Sequence, residues 1–160
     1  MHIIEGSQSA AGFRFAIVVS KYNDFVTERL QTGALAALAA AGVSSGDITV
    51  VRVPGAFEIP IAAQHAARSG RYDAVVCLGC LIRGATPHFE YLASAVSNGL
   101  TAAAGATGVP MAFGVLTTNS VEEALQRAGD GLSNKGWEAA AAAIEMAAVV
   151  AQLTRASSQA

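Results

Sequence analysis

From Phe13 to Ser20 the chain reads Phe-Arg-Phe-Ala-Ile-Val-Val-Ser, with nothing polar between Arg14 and Ser20. A strand with one face in water alternates apolar and polar side chains. An unbroken β-branched run instead marks a strand covered on both faces, as in a parallel sheet layered between helices. Similar runs return at Asp47–Val53, 73–79 and Pro110–Thr117, and a helical period follows each. After the first, Phe25/Val26, Leu30, Ala34, Leu38 and Ala41 share a face from Asp24 onward, and Gly42 can stop the helix. After the second, Pro54-Gly55 breaks the strand, and a helix runs from Ala56 with Pro60 early enough to be tolerated and Gly70 as terminator. The third leads into a helix from His88 to about Ala104. The fourth leads into Ser120-Val-Glu-Glu123, a capping box that opens a short helix through Arg127. Asn134 caps a last helix whose inner face is Trp137, Ala140, Ile144, Ala148 and Ala151. Four strands alternating with helices predict a three-layer α/β/α fold around a four-stranded parallel sheet.

The 160 residues suit one domain over 13–155, preceded by an arm over 1–12 and followed by a flexible tail over 156–160. The Ile3-Ile4 pair makes the arm apolar enough to dock on a neighbouring subunit. Hydrophobic residues make up 52% and charged ones 14%, which leaves apolar surface for subunit contacts to cover. A homo-oligomer is therefore expected. A net charge of −2 supplies no basic field to hold nucleic acid or an anionic membrane. The N-terminus lacks the basic start and apolar core of a signal peptide, and the apolar stretch near Ala139–Ala151 is interrupted by Glu145, so a cytoplasmic protein with no membrane span is expected. Cys77 and Cys80 form a C-x-x-C. Residues three apart in a strand point to opposite faces, so the sulfurs should diverge and serve as small buried residues, neither redox dithiol nor metal site.

Open parallel sheets bind ligands beyond the carboxyl ends of their strands. The residues falling there are Tyr22-Asn23, Ala56-Phe57-Glu58, Cys80 to His88 and Thr117 to Asn119. The stretch Leu78–Tyr91 concentrates the chemistry. Thr86 is expected to cap the following helix with Pro87 in its first turn. Gly84 and Ala85 leave backbone N–H groups uncovered at the positive end of the helix dipole, which favours an anion such as phosphate. His88 projects beside that anion. Standing alone, the stretch also reads as an ordinary capped turn with a solvated histidine. There is no Walker A loop, no Gly-x-Gly-x-x-Gly after the first strand, and no Ser-His-Asp or paired-carboxylate set.

Several segments together resemble the lumazine synthase family: Pro54-Gly-Ala-Phe-Glu-Ile-Pro60, Gly79-Cys-Leu-Ile-Arg-Gly-Ala-Thr-Pro-His88, Phe113-Gly-Val-Leu-Thr-Thr118, Arg127-Ala-Gly129 and Asn134-Lys-Gly136. The similarity spans about Phe13 to about Val150. It implies a flavodoxin-like fold and condensation of 5-amino-6-ribitylaminouracil with 3,4-dihydroxy-2-butanone 4-phosphate to 6,7-dimethyl-8-ribityllumazine, phosphate and water, with no metal or organic cofactor. Carried over by resemblance, Tyr22, where many relatives have Phe, would stack on the pyrimidine. Backbone groups of Ala56, Phe57, Cys80, Leu81 and Ile82 would fix pyrimidine and ribityl edges, and the Glu58 carboxylate would accept ribityl hydroxyls. Ala85 and Thr86 would hold the phosphate, Arg127 would reach it and Phe113 would close the pocket, both from a neighbouring subunit. Lys135 would stand at the rim, and His88 would move protons. Arg83 lies inside the signature as either ligand contact or ion-pair partner, whereas His65 and His2 fall outside it.

The resemblance also implies pentamers, alone, paired or closed into icosahedral shells, with active sites between subunits and riboflavin synthase as a candidate partner. The Asp130–Gly136 turn, without an insertion before Asn-Lys-Gly, leans towards a shell. Two other readings are a non-catalytic flavin or lumazine carrier built on the same pocket and, more weakly, a redox protein using the C-x-x-C.

Overall fold

In a computed structural model, which describes residues 1–158, the four apolar runs form β1 (Phe15–Ser20), β2 (Ile48–Val53), β3 (Ala74–Ile82) and β4 (Met111–Thr118). They make one parallel sheet in the order β2-β1-β3-β4. The helices are α1 (Asp24–Ala40), α2 (Ile59–Arg68), α3 (His88–Thr107), α4 (Val121–Arg127) and α5 (Lys135–Ser158). All six residues of β1 are buried, which is why its sequence has no polar alternation. Alternate residues feed two cores. Phe15, Ile17, Val19 and Leu78 pack under α1 and α5 with Leu30, Leu38 and Ile144. Ala16, Val18, Val75 and Cys77 pack under α2 and α3 with Ile59, Val96 and Leu100. This is the flavodoxin-like three-layer arrangement expected of the chain.

Local chemistry sets most boundaries. Gly42 and Gly70 adopt positive φ, +85° and +69°, just past the ends of α1 and α2. The Ser120 hydroxyl accepts from the Glu123 N–H at 3.1 Å as a capping box requires, while the Glu123 carboxylate returns to the Asn119 N–H at 2.9 Å. In α1 it is Val26 that turns inward, and Phe25 stays 45% exposed.

Three segments differ from the sequence-based expectation. The residues Ala56–Glu58 form a 3-10 turn ahead of α2. Pro87, not Thr86, occupies the cap position of α3, with no side-chain hydrogen bond there, because proline fixes the entry φ without needing a donor. Finally, β3 continues three residues beyond the expected Gly79, to Ile82. Its pairing with β4 reaches Ile82–Thr118, whereas its pairing with β1 ends at Leu78. The extension is thus held on one side only.

The α1–α5 crossing is a close one. Asn134 is buried, and its Oδ1 accepts from the N–H groups of Gly136 (2.8 Å) and Trp137 (3.2 Å), capping α5. Its Nδ2 donates to the carbonyls of Gly129 (2.8 Å) and Arg29 (3.2 Å). Leu30 of α1 lies so near Gly136 that a Cβ there would overlap its carbonyl. By length and composition α5 could cross a membrane, yet its stripe of Ala139, Ala140, Ala143, Ile144 and Ala147 belongs to the core with α1 and the sheet.

Residues Met1–Ala10 form no helix or strand. The arm lies along α5, where Gln152 donates to the Glu5 carbonyl at 2.8 Å, and it enters the core at Ala10, whose N–H bonds the Ala41 carbonyl at 2.9 Å. Of the tail over 156–160, residues 156–158 continue α5, while 159 and 160 lie outside the described residues.

Candidate active site

Where β1 and β2 end, the chain opens a hollow of about 540 Å³ lined by residues from four segments. Tyr22 leaves β1 anchored by its N–H to the Pro54 carbonyl at 3.1 Å, and its ring is 72% exposed. Asn23 follows at φ +60°, alone among the described non-glycine residues in having positive φ. Asparagine tolerates this left-handed geometry better than most residues. Its Nδ2 reaches across to the Cys80 carbonyl at 2.9 Å and ties the Tyr22 turn to β3. The sequence places Asn23 beside Tyr22 beyond the first strand without giving it a role; an asparagine at a strand-to-helix turn is the signal for this geometry.

The second segment is the 3-10 turn. Glu58 donates its N–H to the Gly55 carbonyl at 3.3 Å, and its Oε2 would stand 3.1 Å from a Cβ at Gly55. A side chain at position 55 would therefore crowd the carboxylate. Ala56 is buried at the base of the turn, while Phe57 stays 61% exposed facing the hollow's rim.

The third segment is the unpaired flank of β3. In this ladder the odd-numbered residues of β3 point their backbone groups at β4, as shown by Val75 donating to Pro110 and Arg83 donating to Thr118. Cys80 and Ile82 consequently direct their N–H and C=O groups to the side that β1 has vacated, toward the hollow, where the Cys80 carbonyl already accepts from Asn23. Leu81 commits its backbone to β4 and meets the hollow through its side chain.

The fourth segment joins β3 to α3. Gly84, Ala85 and Thr86 are exposed, and Gly84, Thr86 and His88 line the hollow. Because Pro87 takes the cap position, the Thr86 hydroxyl is not engaged in capping α3. His88 is the first residue of the helix and is exposed. Arg83, by contrast, faces away from the hollow. Its Nε donates to Asn119 Oδ1 at 2.9 Å, its Nη1 pairs with Glu90, and its guanidinium lies 4.5 Å from the Phe89 ring centroid. The Glu90 carboxyl is held below the usual carboxylate range by its own backbone N–H and then by the hydrogen bond from Arg83. His65 and His2 are exposed and line neither hollow.

Phe113, Arg127 and Lys135 are not in this hollow. They line a second one, of about 340 Å³, against the edge strand β4 and the start of α5. Phe113 is 50% exposed there. Arg127 Nη1 donates to the Glu123 carbonyl at 3.2 Å, and Lys135 Nζ pairs with Glu138 at 2.7 Å. The two hollows share no residue. The sequence-derived set therefore divides within a single chain into a larger half with His88 and a smaller half with Arg127.

Cys77 and Cys80 are buried on opposite faces of β3, one in each core. Burial pushes the Cys77 thiol up to about 12 and Cys80 to about 11. With so little thiolate near neutrality, native protein should react with a thiol reagent at least about 100-fold more slowly than urea-unfolded protein. Timed alkylation read by mass spectrometry checks this, and rapid native labelling would contradict the burial.

A sequence model of the 6,7-dimethyl-8-ribityllumazine synthase family matches residues 12–151. A 6,7-dimethyl-8-ribityllumazine synthase from Syntrophus aciditrophicus (strain SB) is 53% identical over 151 residues, covering 94% of this chain and 98% of that protein. Near full-length identity at this level, with the family's segments arranged around the first hollow and β4, leads to one assignment: the chain belongs to the 6,7-dimethyl-8-ribityllumazine synthase family.

Proposed function

We infer that the protein condenses 5-amino-6-ribitylaminouracil with 3,4-dihydroxy-2-butanone 4-phosphate to 6,7-dimethyl-8-ribityllumazine in riboflavin biosynthesis. The observation that carries this reading is the convergence of an uncapped helix start, the Gly84–Thr86 loop and His88 on the hollow that also holds Glu58 and two exposed aromatic rings. Tyr22 stacks on the pyrimidine, with Phe57 beside it. Backbone groups of Ala56, Cys80 and Ile82 meet its polar edges, Leu81 packs below it, and Glu58 accepts ribityl hydroxyls. Ala85 and Thr86 hold the phosphate with the open N–H groups of α3.

The uracil amine attacks the ketone carbon, and loss of one water gives an imine. Elimination breaks the C–O bond to phosphate, which leaves with the bonding pair. Tautomerisation and attack by the ribitylamino nitrogen then close the ring with loss of a second water. His88 is placed to relay protons in these steps, since imidazole both gives and takes protons near neutrality. Both substrates are intrinsically reactive, so much of the rate comes from holding them together. His88→Ala is accordingly expected to lower kcat by about 10²-fold, the small end for an acid–base group. Stopped-flow turnover would measure it, and an unchanged kcat would remove His88 from the chemistry.

The active site is completed between subunits, with Phe113, Arg127 and Lys135 of one chain facing the His88 hollow of the next. Support comes from the half-exposed aromatic rings in both hollows and from β4 lying at a sheet edge. The assembly is a pentamer or a set of pentamers in the cytoplasm, each subunit one domain over 13–155. Within its arm, residues 1–12, Glu5 and Ala10 stay on the chain's own α5 and core, while the exposed Ile3 is left to meet a neighbour, whose β2 edge is open, and riboflavin synthase is the candidate partner for the product. Supplying both substrates and following the lumazine chromophore tests the activity; binding of lumazine without its formation would identify a carrier instead.

A further inference from the structure

We propose that Arg83 is a positioning residue that braces the phosphate cradle from outside, rather than a ligand of the phosphate. The inference rests on the functional reading above for its substrate but on separate contacts for its geometry. The cradle, Gly84 to Pro87, is a short loop lined by glycine, alanine and threonine, with no internal bond to fix it and no side-chain cap at its helix end. What spans it is Arg83 on one side and Glu90, in the first turn of α3, on the other. Their ion pair closes the loop across its two ends. The guanidinium is held in two directions, Nε to Asn119 and Nη1 to Glu90, and one face lies near Phe89, which lines the hollow. A planar fork reaches Asn119 and Glu90 from different nitrogens while laying its face near a ring, a geometry that the single nitrogen of an ammonium does not reproduce.

The brace continues beyond the loop. Arg83 N–H bonds the Thr118 carbonyl at 2.8 Å, and Asn119, which accepts from Arg83, donates its own N–H to the Glu123 carboxylate at 2.9 Å. The Glu123 carbonyl in turn accepts from Arg127. One chain of hydrogen bonds thus runs from the cradle of the larger half-site to the arginine of the smaller one on the same subunit. Across a ring, it would join the cradle of one active site to the phosphate-binding arginine of the adjacent site.

The test uses the assembled enzyme and the variants Arg83→Ala, Arg83→Lys, Glu90→Gln and the double variant Arg83→Ala/Glu90→Gln. Arg83→Ala should raise KM for the ketone phosphate about tenfold while KM for the pyrimidine stays within about twofold. Glu90→Gln should reproduce most of that rise, and the double variant should be no worse than Arg83→Ala, because both remove one brace. Arg83→Lys should recover part of the affinity through Glu90 alone. A rise in both KM values together, additive effects of the two substitutions, or a silent Glu90→Gln would each overturn the proposal in favour of a purely structural arginine or a direct phosphate contact. A second readout needs no turnover: amide hydrogen exchange at Gly84–Thr86 in the ligand-free protein should quicken about tenfold or more in Arg83→Ala. Unchanged exchange would overturn the brace, while quickened exchange in a protein that makes no lumazine would fault only the assigned activity.

Discussion

Assemblies made only of Arg127→Ala subunits should form the lumazine at least about 10³-fold more slowly than wild type. A guanidinium that binds two phosphate oxygens acts twice, on capture of the ketone phosphate and on the direction in which phosphate leaves. Losing one partner of such a charge pair costs about 2–5 kcal/mol, and about 4 kcal/mol is a thousandfold. Arg127 lies in the second hollow, away from His88 and Glu58, so the loss should be repairable in trans. Subunits carrying Glu58→Ala retain Arg127, and subunits carrying Arg127→Ala retain Glu58. In a ring mixed one to one, about a quarter of the sites pair two intact halves. Unfolding and refolding the two variants together should therefore restore about a quarter of wild-type activity, while each refolded alone stays slow. If the mixture were as inactive as its parents, the two hollows would not complete one another.

The largest loss of stability is expected from one added methyl. Gly136→Ala puts a Cβ into the Leu30 carbonyl, a clash with backbone that rotamer changes cannot relieve. The α1–α5 crossing must open, stretching the bonds that Asn134 makes to both helices. Overpacking of this kind costs about 3 kcal/mol or more, or roughly 6–12 °C in a chain of this size. Two other glycines calibrate the result. Gly33→Ala meets the Asn134 side chain first, not backbone, and should fall in between. Gly105, inside α3, has nothing within 4 Å, so Gly105→Ala should raise stability by about 0.5–1 kcal/mol. Thermal or urea melts of the three variants give the order, and a wild-type midpoint for Gly136→Ala would contradict the close crossing.

The layers of the fold were legible because burial on both faces leaves a direct trace in composition, as in Ala16-Ile-Val-Val19. Caps were legible where one residue acts on its own helix, as at Ser120. The Asn134 cap was legible in the same way, but its second function was not: bonds to Arg29, 105 residues away, depend on a crossing that no local pattern encodes. The length of β3 was misjudged for a related reason. Gly79-Cys80 looks like a strand ending, and only the register with β4 shows the strand persisting. The residues of the candidate site were legible through family segments. The resemblance also set Phe113 and Arg127 apart from the His88 corner; that Lys135 stands with them was not legible, since segments carry order along the chain and not which side of an edge strand each will face. The contacts of Arg83 with Asn119 were hidden likewise, 36 residues apart.

The strand that outruns its partner turns main-chain atoms of Cys80 and Ile82 toward the hollow, and in the proposed reaction polar recognition falls to them. Alanine scanning keeps those atoms and will pass over them, so a mutational map of this pocket would underrate its floor. Both side chains pack in the core beneath α1 and α5, so exchanging them reports on packing and not on the amides. A replacement of the Ile82 amide by an ester, which deletes that N–H and weakens the Leu81 carbonyl as an acceptor, is the substitution that would register in affinity for the pyrimidine.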